Sequence, residues 1–142
     1  MYSILYRSRA RAGLFGPDLN DIIASAEAHN PTIGVTGLLL YGELPAVPGA
    51  PGEFVQWIEG PEDAVEGLYA RIQTDRRHFD VETLARGPVS ETARRSGVVR
   101  PDGRLFGRWA MGLVRLSELP ATLPGFLGFA RDWDRTALPH AA

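Results

Sequence analysis

The chain of 142 residues contains no cysteine and no lysine. Without cysteine there is no disulfide, no thiolate nucleophile and no thiolate metal ligand. All 15 basic residues are therefore arginine, which we read as coding bias and not as function. Neither sign of charge dominates: 15 basic residues stand against 17 acidic ones, for a net charge of −2. So balanced a chain makes no overall electrostatic case for nucleic acid or an anionic membrane. No apolar run approaches the roughly 20 residues that a bilayer requires. The opening Met1-Tyr2-Ser3-Ile4 lacks the basic stretch of a secretory signal. There is no glycine-rich phosphate loop and no nucleophile elbow. His29 and His78 lack metal-ligand spacing with carboxylates. The expectation is a cytoplasmic protein with no metal, no membrane and no nucleic-acid partner.

What is present is ordinary globular material. Apolar residues make up 44% and charged residues 23%. That length and composition predict one domain with a real core. Tyr2 to Tyr6 reads as a strand and Arg7 to Gly16 as a polar loop. Pro17 suits a first helical turn, and Leu19, Ile22, Ile23 and Ala26 follow helical spacing, so a helix is predicted from Pro17 to His29. Asn30-Pro31 ends it, because the residue before proline avoids the helical region. Gly34 to Tyr41 is a strand apolar on both faces, as in mid-sheet. Gly42 to Glu53, with three prolines and three glycines, is an irregular loop. Phe54 to Glu59 is the next strand. A second helix starts at Gly60-Pro61-Glu62-Asp63, carries the stripe Val65, Leu68, Tyr69 and Ile72, and is closed by Asp75-Arg76-Arg77-His78. Phe79 to Val89 and Leu105 to Val114 read as strands, with polar Ser90 to Gly103 between them. Leu116 to Trp133 reads as one or two short helices. The order β-α-β-β-α-β-β predicts an α+β, ferredoxin-like sheet with a fifth strand, two helices on one face and a C-terminal helical tail.

In Phe54-Val55-Gln56-Trp57-Ile58-Glu59-Gly60, alternation puts Phe54, Gln56 and Ile58 on one side of the pleat and Val55, Trp57 and Glu59 on the other. A buried amide left unsatisfied costs about 1–3 kcal/mol. Gln56, able to donate and accept at once, suits the edge of a heterocyclic ligand. A glutamine satisfied by backbone or water is the plainer alternative. Ile4 and Tyr6 share a face of the first strand, and Trp109 and Met111 share one of the last. With Asn30 these residues could line an apolar site with a few oriented polar groups. Each taken alone reads as core. Arg7, Arg9 and Arg11 read as a solvated loop, and so do Arg94, Arg95, Arg100 and Arg104.

Together the segments Ser3-Ile4-Leu5-Tyr6-Arg7-Ser8, His29-Asn30 with Gly34 to Tyr41, Phe54 to Gly60, Val65 to His78, and Arg104-Leu105-Phe106 with Trp109-Ala110-Met111-Gly112 resemble the BLUF family of blue-light sensors using flavin. They occur in the family's order across most of residues 2 to 113. The resemblance implies a flavin-binding photoreceptor that is not an enzyme. Its cofactor would be FAD, with FMN or riboflavin also possible. Tyr6 matches the photoactive tyrosine that gives an electron and proton to excited flavin. Gln56 matches the glutamine between that tyrosine and the flavin N5/O4 edge. Asn30 matches the asparagine on the C4=O and N3–H edge. Ile72, Asp75, Arg77 and His78 match positions beside the ring, ribityl or phosphate. Trp109 and Met111 match the last-strand pair that relays the signal.

On this reading residues 1–114 form the flavin-binding domain and 115–142 a helical extension that is not a separate domain. Leu116, Leu119, Phe126, Leu127 and Phe129 would cover the sheet face away from flavin. The 30 residues from Leu113 to Ala142 would not hold a catalytic domain, so output would pass to an unknown protein effector or through a homo-oligomer, dimer or larger. Two other functions fit the same fold: an acylphosphatase-like hydrolase, disfavoured because the anion loop after the first strand is missing, and a flavin-free interaction module. The loop Gly42 to Glu53 is longer than the family's tight connection, and Ser96 to Gly103 reads as an insertion before the last strand.

Overall fold

The computed structural model describes residues 1–11, 16–44, 46–47, 50–93 and 99–136. Five strands form one mixed sheet: β1 (Tyr2–Ala10), β2 (Thr36–Glu43), β3 (Glu53–Gly60), β4 (His78–Pro88) and β5 (Trp109–Arg115). The helices are α1 (Gly16–His29), α2 (Glu62–Thr74), the single turn α3 (Val89–Thr92) and α4 (Leu123–Thr136). Strand order is β4-β1-β3-β2-β5. The first four strands pair antiparallel, and β5 adds parallel to β2 at the edge. This is the predicted α+β, ferredoxin-like arrangement with a fifth strand.

The sheet divides the interior into two layers, as the period of two requires. On one side Ile4, Tyr6, Val35, Ile58, Val65 and Tyr69 cluster, continued by Ala10, Leu39, Tyr41 and Phe54. The apolar stripe of α2 and Ile22 of α1 close this layer. On the other side Leu5, Leu38, Leu40, Val55 and Trp57 pack with Val89, Leu105, Phe106, Phe126, Leu127 and Ala130. The expected tail cover is therefore α4, whose Phe126 stacks on Trp57 with centroids 5.8 Å apart and planes within 7°. Thr122 starts this helix by accepting the Gly125 N–H on Oγ1 at 3.1 Å, and Pro124 fits the first turn. Gly37 is required where β2 crosses β3: a Cβ there would lie 1.9 Å from the Trp57 carbonyl oxygen.

Several sequence expectations are corrected. Strand β1 runs to Ala10, so Arg7 and Arg9 belong to a strand and not to a loop; Arg7 pairs with Glu53 at 2.7 Å. The loop read as Gly42 to Glu53 is shorter, because β2 extends to Glu43 and β3 begins at Glu53. α2 ends at Thr74, and His78 opens β4 instead of closing the helix. Polar Ser90 hides α3, which forms because Val89 and Ala93 are buried on the tail side. β5 starts at Trp109, not Leu105: the Leu105 and Phe106 N–H groups are taken by the Glu59 carboxylate instead of a strand ladder. Arg104 is not solvated but mostly buried, donating to Thr36 Oγ1 at 2.8 Å. Arg94 and Arg95, and Ser96 at the head of the supposed insertion, lie outside the described residues.

Candidate functional site

Strands β1 and β3 place Tyr6 directly opposite Gln56, and β2 and β5 continue the row with Leu39 and Met111. Thr83 of β4 completes it beside Tyr6. All five side chains stand on the face covered by α1 and α2. The Tyr6 hydroxyl donates a short hydrogen bond to Gln56 Oε1. Burial, then the neighbouring Tyr69 and Asp75, push the Tyr6 phenol well above its ordinary value, so it is a neutral O–H donor. Gln56 Nε2 has no hydrogen-bond partner among the described residues. That fixed donor–acceptor order leaves the amide's NH2 end for another group.

A cavity of about 260 Å³ opens beside this pair. Tyr6, Asn30, Gln56, Ile72, Asp75, Arg77 and His78 all line it. Sequence reasoning named these seven, and the fold brings them together from β1, the turn after α1, β3, the end of α2 and the start of β4. Asn30 is buried and begins a short 3-10 turn, Asn30–Ile33. Pro31 sits within that turn, where its fixed φ is suited, and leaves Asn30 on the cavity wall. Leu39 and Phe54 form the cavity's sheet side, Ile22, Ala26, Leu68 and Ile72 its helical side.

His78 is held from both ends. Nε2 lies 2.6 Å from the Ile72 carbonyl and must donate to it; Nδ1 lies 2.7 Å from Ser8 Oγ. In the neutral ring Nδ1 therefore accepts from Ser8. At the mouth, Asp75 takes the Arg77 guanidinium, with Nε 2.9 Å from Oδ1 and 3.0 Å from Oδ2, and accepts the Arg77 backbone N–H at 2.9 Å. That contact with Arg77 lowers the Asp75 carboxyl below its usual range and raises the guanidinium.

Trp109 and Met111 do not line the cavity. They stand behind it, packed against Leu39 and its cluster. The Trp109 Nε1 atom is buried with no hydrogen-bond partner among the described residues. Arg71 is a lining residue that sequence reasoning missed; it donates to His29 Nε2 at 2.6 Å across the mouth. Its signal was present: Leu68, Arg71 and Ile72 follow i, i+3, i+4 spacing and share a helical face. Ser8 was quoted as part of a motif, but its bond to His78 needed the β1–β4 pairing.

The site so built is an apolar slot with amide and phenol groups along one wall and two guanidinium groups at its mouth. Such a slot is suited to a flat, hydrogen-bonding ring carrying an anionic arm. Comparison with known proteins gives the class. The family described as Sensors of blue-light using FAD matches residues 1–112. The chain is 37% identical over 91 residues to the photoactivated adenylate cyclase subunit beta of Euglena longa, covering 64% of this chain and 10% of that protein. To a photoactivated adenylate cyclase subunit beta-like protein of Euglena gracilis it is 36% identical over 122 residues, covering 86% and 12%. The chain thus spans about a tenth of the length of these curated relatives. Among solved structures, the dark state of BlrB, a BLUF protein, superposes with a TM-score of 0.60 at 30% identity, over 99% of this chain and 86% of that one. The ground state of BlsA gives 0.59 at 27%, over 80% and 64%. This chain belongs to the BLUF family of flavin-based blue-light sensors.

Proposed function

We propose that the chain is a flavin-binding photoreceptor in which Tyr6 and Gln56 form the light-responsive pair, and that it has no catalytic activity of its own. The observation that carries this is the hydrogen bond from Tyr6 to Gln56 on the wall of a cavity that also holds Asn30. The cavity's size, just under the roughly 300 Å³ at which small-molecule pockets begin, suits the ring of a flavin with the rest of the cofactor leaving through the mouth. Asn30 and Gln56 Nε2 would face the ring's polar edge; Ile22, Leu68 and Ile72 would hold its flat faces. Arg71 and Arg77 at the mouth favour a phosphate-bearing flavin, with FAD the first choice and FMN or riboflavin the others.

When bound, the flavin supplies blue-light absorption and a transient electron acceptor. Tyr6 holds its proton in the dark, because a buried phenol cannot ionise at neutral pH. Gln56 accepts that O–H, and a turn or tautomer change of its amide would reverse its donor–acceptor order with no net charge. Leu39 and Met111, next along the row, would feel the changed volume, and Trp109 beside them has an N–H with no partner among the described residues. Output would then pass from β5 to a protein effector or to a second copy of the chain. The deciding experiment is the absorption spectrum of purified protein in the dark and after blue light, with the released cofactor identified after denaturation. A yellow protein with a reversible red shift supports the reading. Protein that stays colourless after incubation with FAD, FMN or riboflavin overturns it.

A further inference from the structure

Glu59 is the one fully buried carboxylate among the described residues, and it lies outside the cavity. It leaves β3 on the tail side, three residues beyond Gln56. Oε1 accepts the Trp57 indole N–H at 2.9 Å and the Leu105 backbone N–H at 2.6 Å. Oε2 accepts the Phe106 N–H at 2.7 Å and the Thr36 hydroxyl at 2.8 Å. Thr36 Oγ1 in turn accepts from the Arg104 guanidinium at 2.8 Å, so a cation stands one hydroxyl away from the carboxylate. Burial pushes the Glu59 carboxyl up, while the bonds from Trp57, Leu105, Thr36 and Phe106 favour its charged form.

Four donors saturate both oxygens, which only a carboxylate can accept. A buried charge is costly, and one so fully bonded fixes geometry more surely than it adds stability. The geometry fixed here is the chain just before β5. That strand is an edge, laddered to β2 and to no other described strand. Leu105 and Phe106 precede Trp109 by three or four residues, and the Arg108 carbonyl between them accepts the Gly37 N–H at 3.1 Å. The far end of β5 lacks such an anchor from a buried carboxylate: it is held by the β2 ladder, Leu113 and Arg115 are exposed, and Gly112 lies under the ring of Trp133 from α4.

We infer that Glu59 is a positioning residue for the light response: from the back of the strand that carries Gln56 it pins Leu105 and Phe106, so β5 moves about a fixed start. The displacement is then delivered to Met111–Arg115 and to the Trp133 contact, while Trp109 stays under the site. This rests on the photoreceptor reading above.

The test uses the flavin-loaded full chain and two variants, Glu59→Gln and Thr36→Val. In the first, whichever way the amide turns, its NH2 meets the N–H of Leu105 or Phe106. The second removes one donor and the link to Arg104 while leaving the carboxylate. Both should bind flavin at wild-type stoichiometry and keep the red shift. In Glu59→Gln, hydrogen exchange at Leu105 and Phe106 should quicken by about tenfold or more in the dark. Its dark recovery should change by about threefold or more, the low end of what altered coupling along such a network gives. The light-induced rise in exchange should be confined to residues 111–115 in wild type and should spread to 105–110 in Glu59→Gln. Thr36→Val should change recovery in the same direction by less. Unchanged recovery and an unchanged pattern along β5 in Glu59→Gln, with Leu105 and Phe106 deprotected, would overturn the proposal, since that is what a merely structural strut gives. Loss of flavin from both variants overturns it as well. A wild-type protein with no red shift fails the photoreceptor reading itself, before any variant is compared.

Discussion

Tyr6 and Gln56 meet because Cα partners on neighbouring antiparallel strands point to the same face, and the short bond between them follows from that pairing. Tyr6→Phe removes the donor and keeps the ring, so flavin should bind without a red shift on illumination. Gln56→Leu should do the same, checked by dark and light difference spectra; a normal photocycle in either variant assigns that residue the wrong part. Tyr6 also gives a pH prediction. Its folded pKa lies above the ordinary 10.0, mainly through burial. A raised value means stability fully present below pH 10 and lost as pH rises past it, because the unfolded phenol ionises first. From about pH 9 to about pH 11, the wild-type unfolding free energy, read by denaturant titration, should therefore fall more steeply than that of Tyr6→Phe, with a slope difference of at most about 1.4 kcal/mol per pH unit. Parallel curves would mean that Tyr6 ionises in the folded protein as it does in water.

At the level of elements, α4 covers the sheet face opposite the cavity, and Phe126 on Trp57 is its central contact. A chain truncated after Arg115 should lose solubility and unfold at lower temperature, since Leu5, Leu38, Leu40 and Trp57 would face water. The milder Phe126→Ala should cost about 3–5 kcal/mol by denaturant titration while sparing flavin binding, because its cavity opens on the other layer. A truncated chain as soluble and heat-stable as the whole would sink this account. The period-two strands and the α2 stripe were legible from residue spacing alone. The start of β5 was not: Leu105 and Phe106 are apolar and read as the head of the strand, but their N–H groups belong to Glu59. α3 was hidden for a similar reason, since Val89 and Ala93 become an apolar pair only against the tail-side core.

For the whole molecule, 142 residues cover about a tenth of the photoactivated cyclase subunits that the chain resembles. The exposed end of β5, with Leu113 at 60% exposure, and the tail behind it are the nearest surfaces to Met111. Methionine repacks with little strain. Met111→Ala should therefore keep the spectral shift yet blunt any light-dependent change in oligomer size or partner affinity, which typically needs about 1–3 kcal/mol between states. Size-exclusion runs in dark and light on both proteins check this. A wild type that responds and a variant that responds equally would make Met111 plain core.

The sequence by itself determined the order of elements, the two-sided patterning of the strands and seven of the cavity's lining residues. The first two follow from periodicities of 2 and 3.6, local properties of the chain, whereas Ile72, Asp75, Arg77 and His78 were named through the resemblance to the BLUF family. It also named Trp109 and Met111 as a pair on one face. Only the tertiary structure placed that pair behind Leu39 and not on the cavity wall, because strand order sets which row a residue joins. Arg71 and Ser8 likewise gained their partners, His29 and His78, from segments 42 and 70 residues away. Glu59 shows the difference most plainly. Alternation put it on the face away from Gln56 and beside Trp57, but its other donors come from Thr36, Leu105 and Phe106, and hydrogen-bond partners at such separations are fixed by folding and not by spacing.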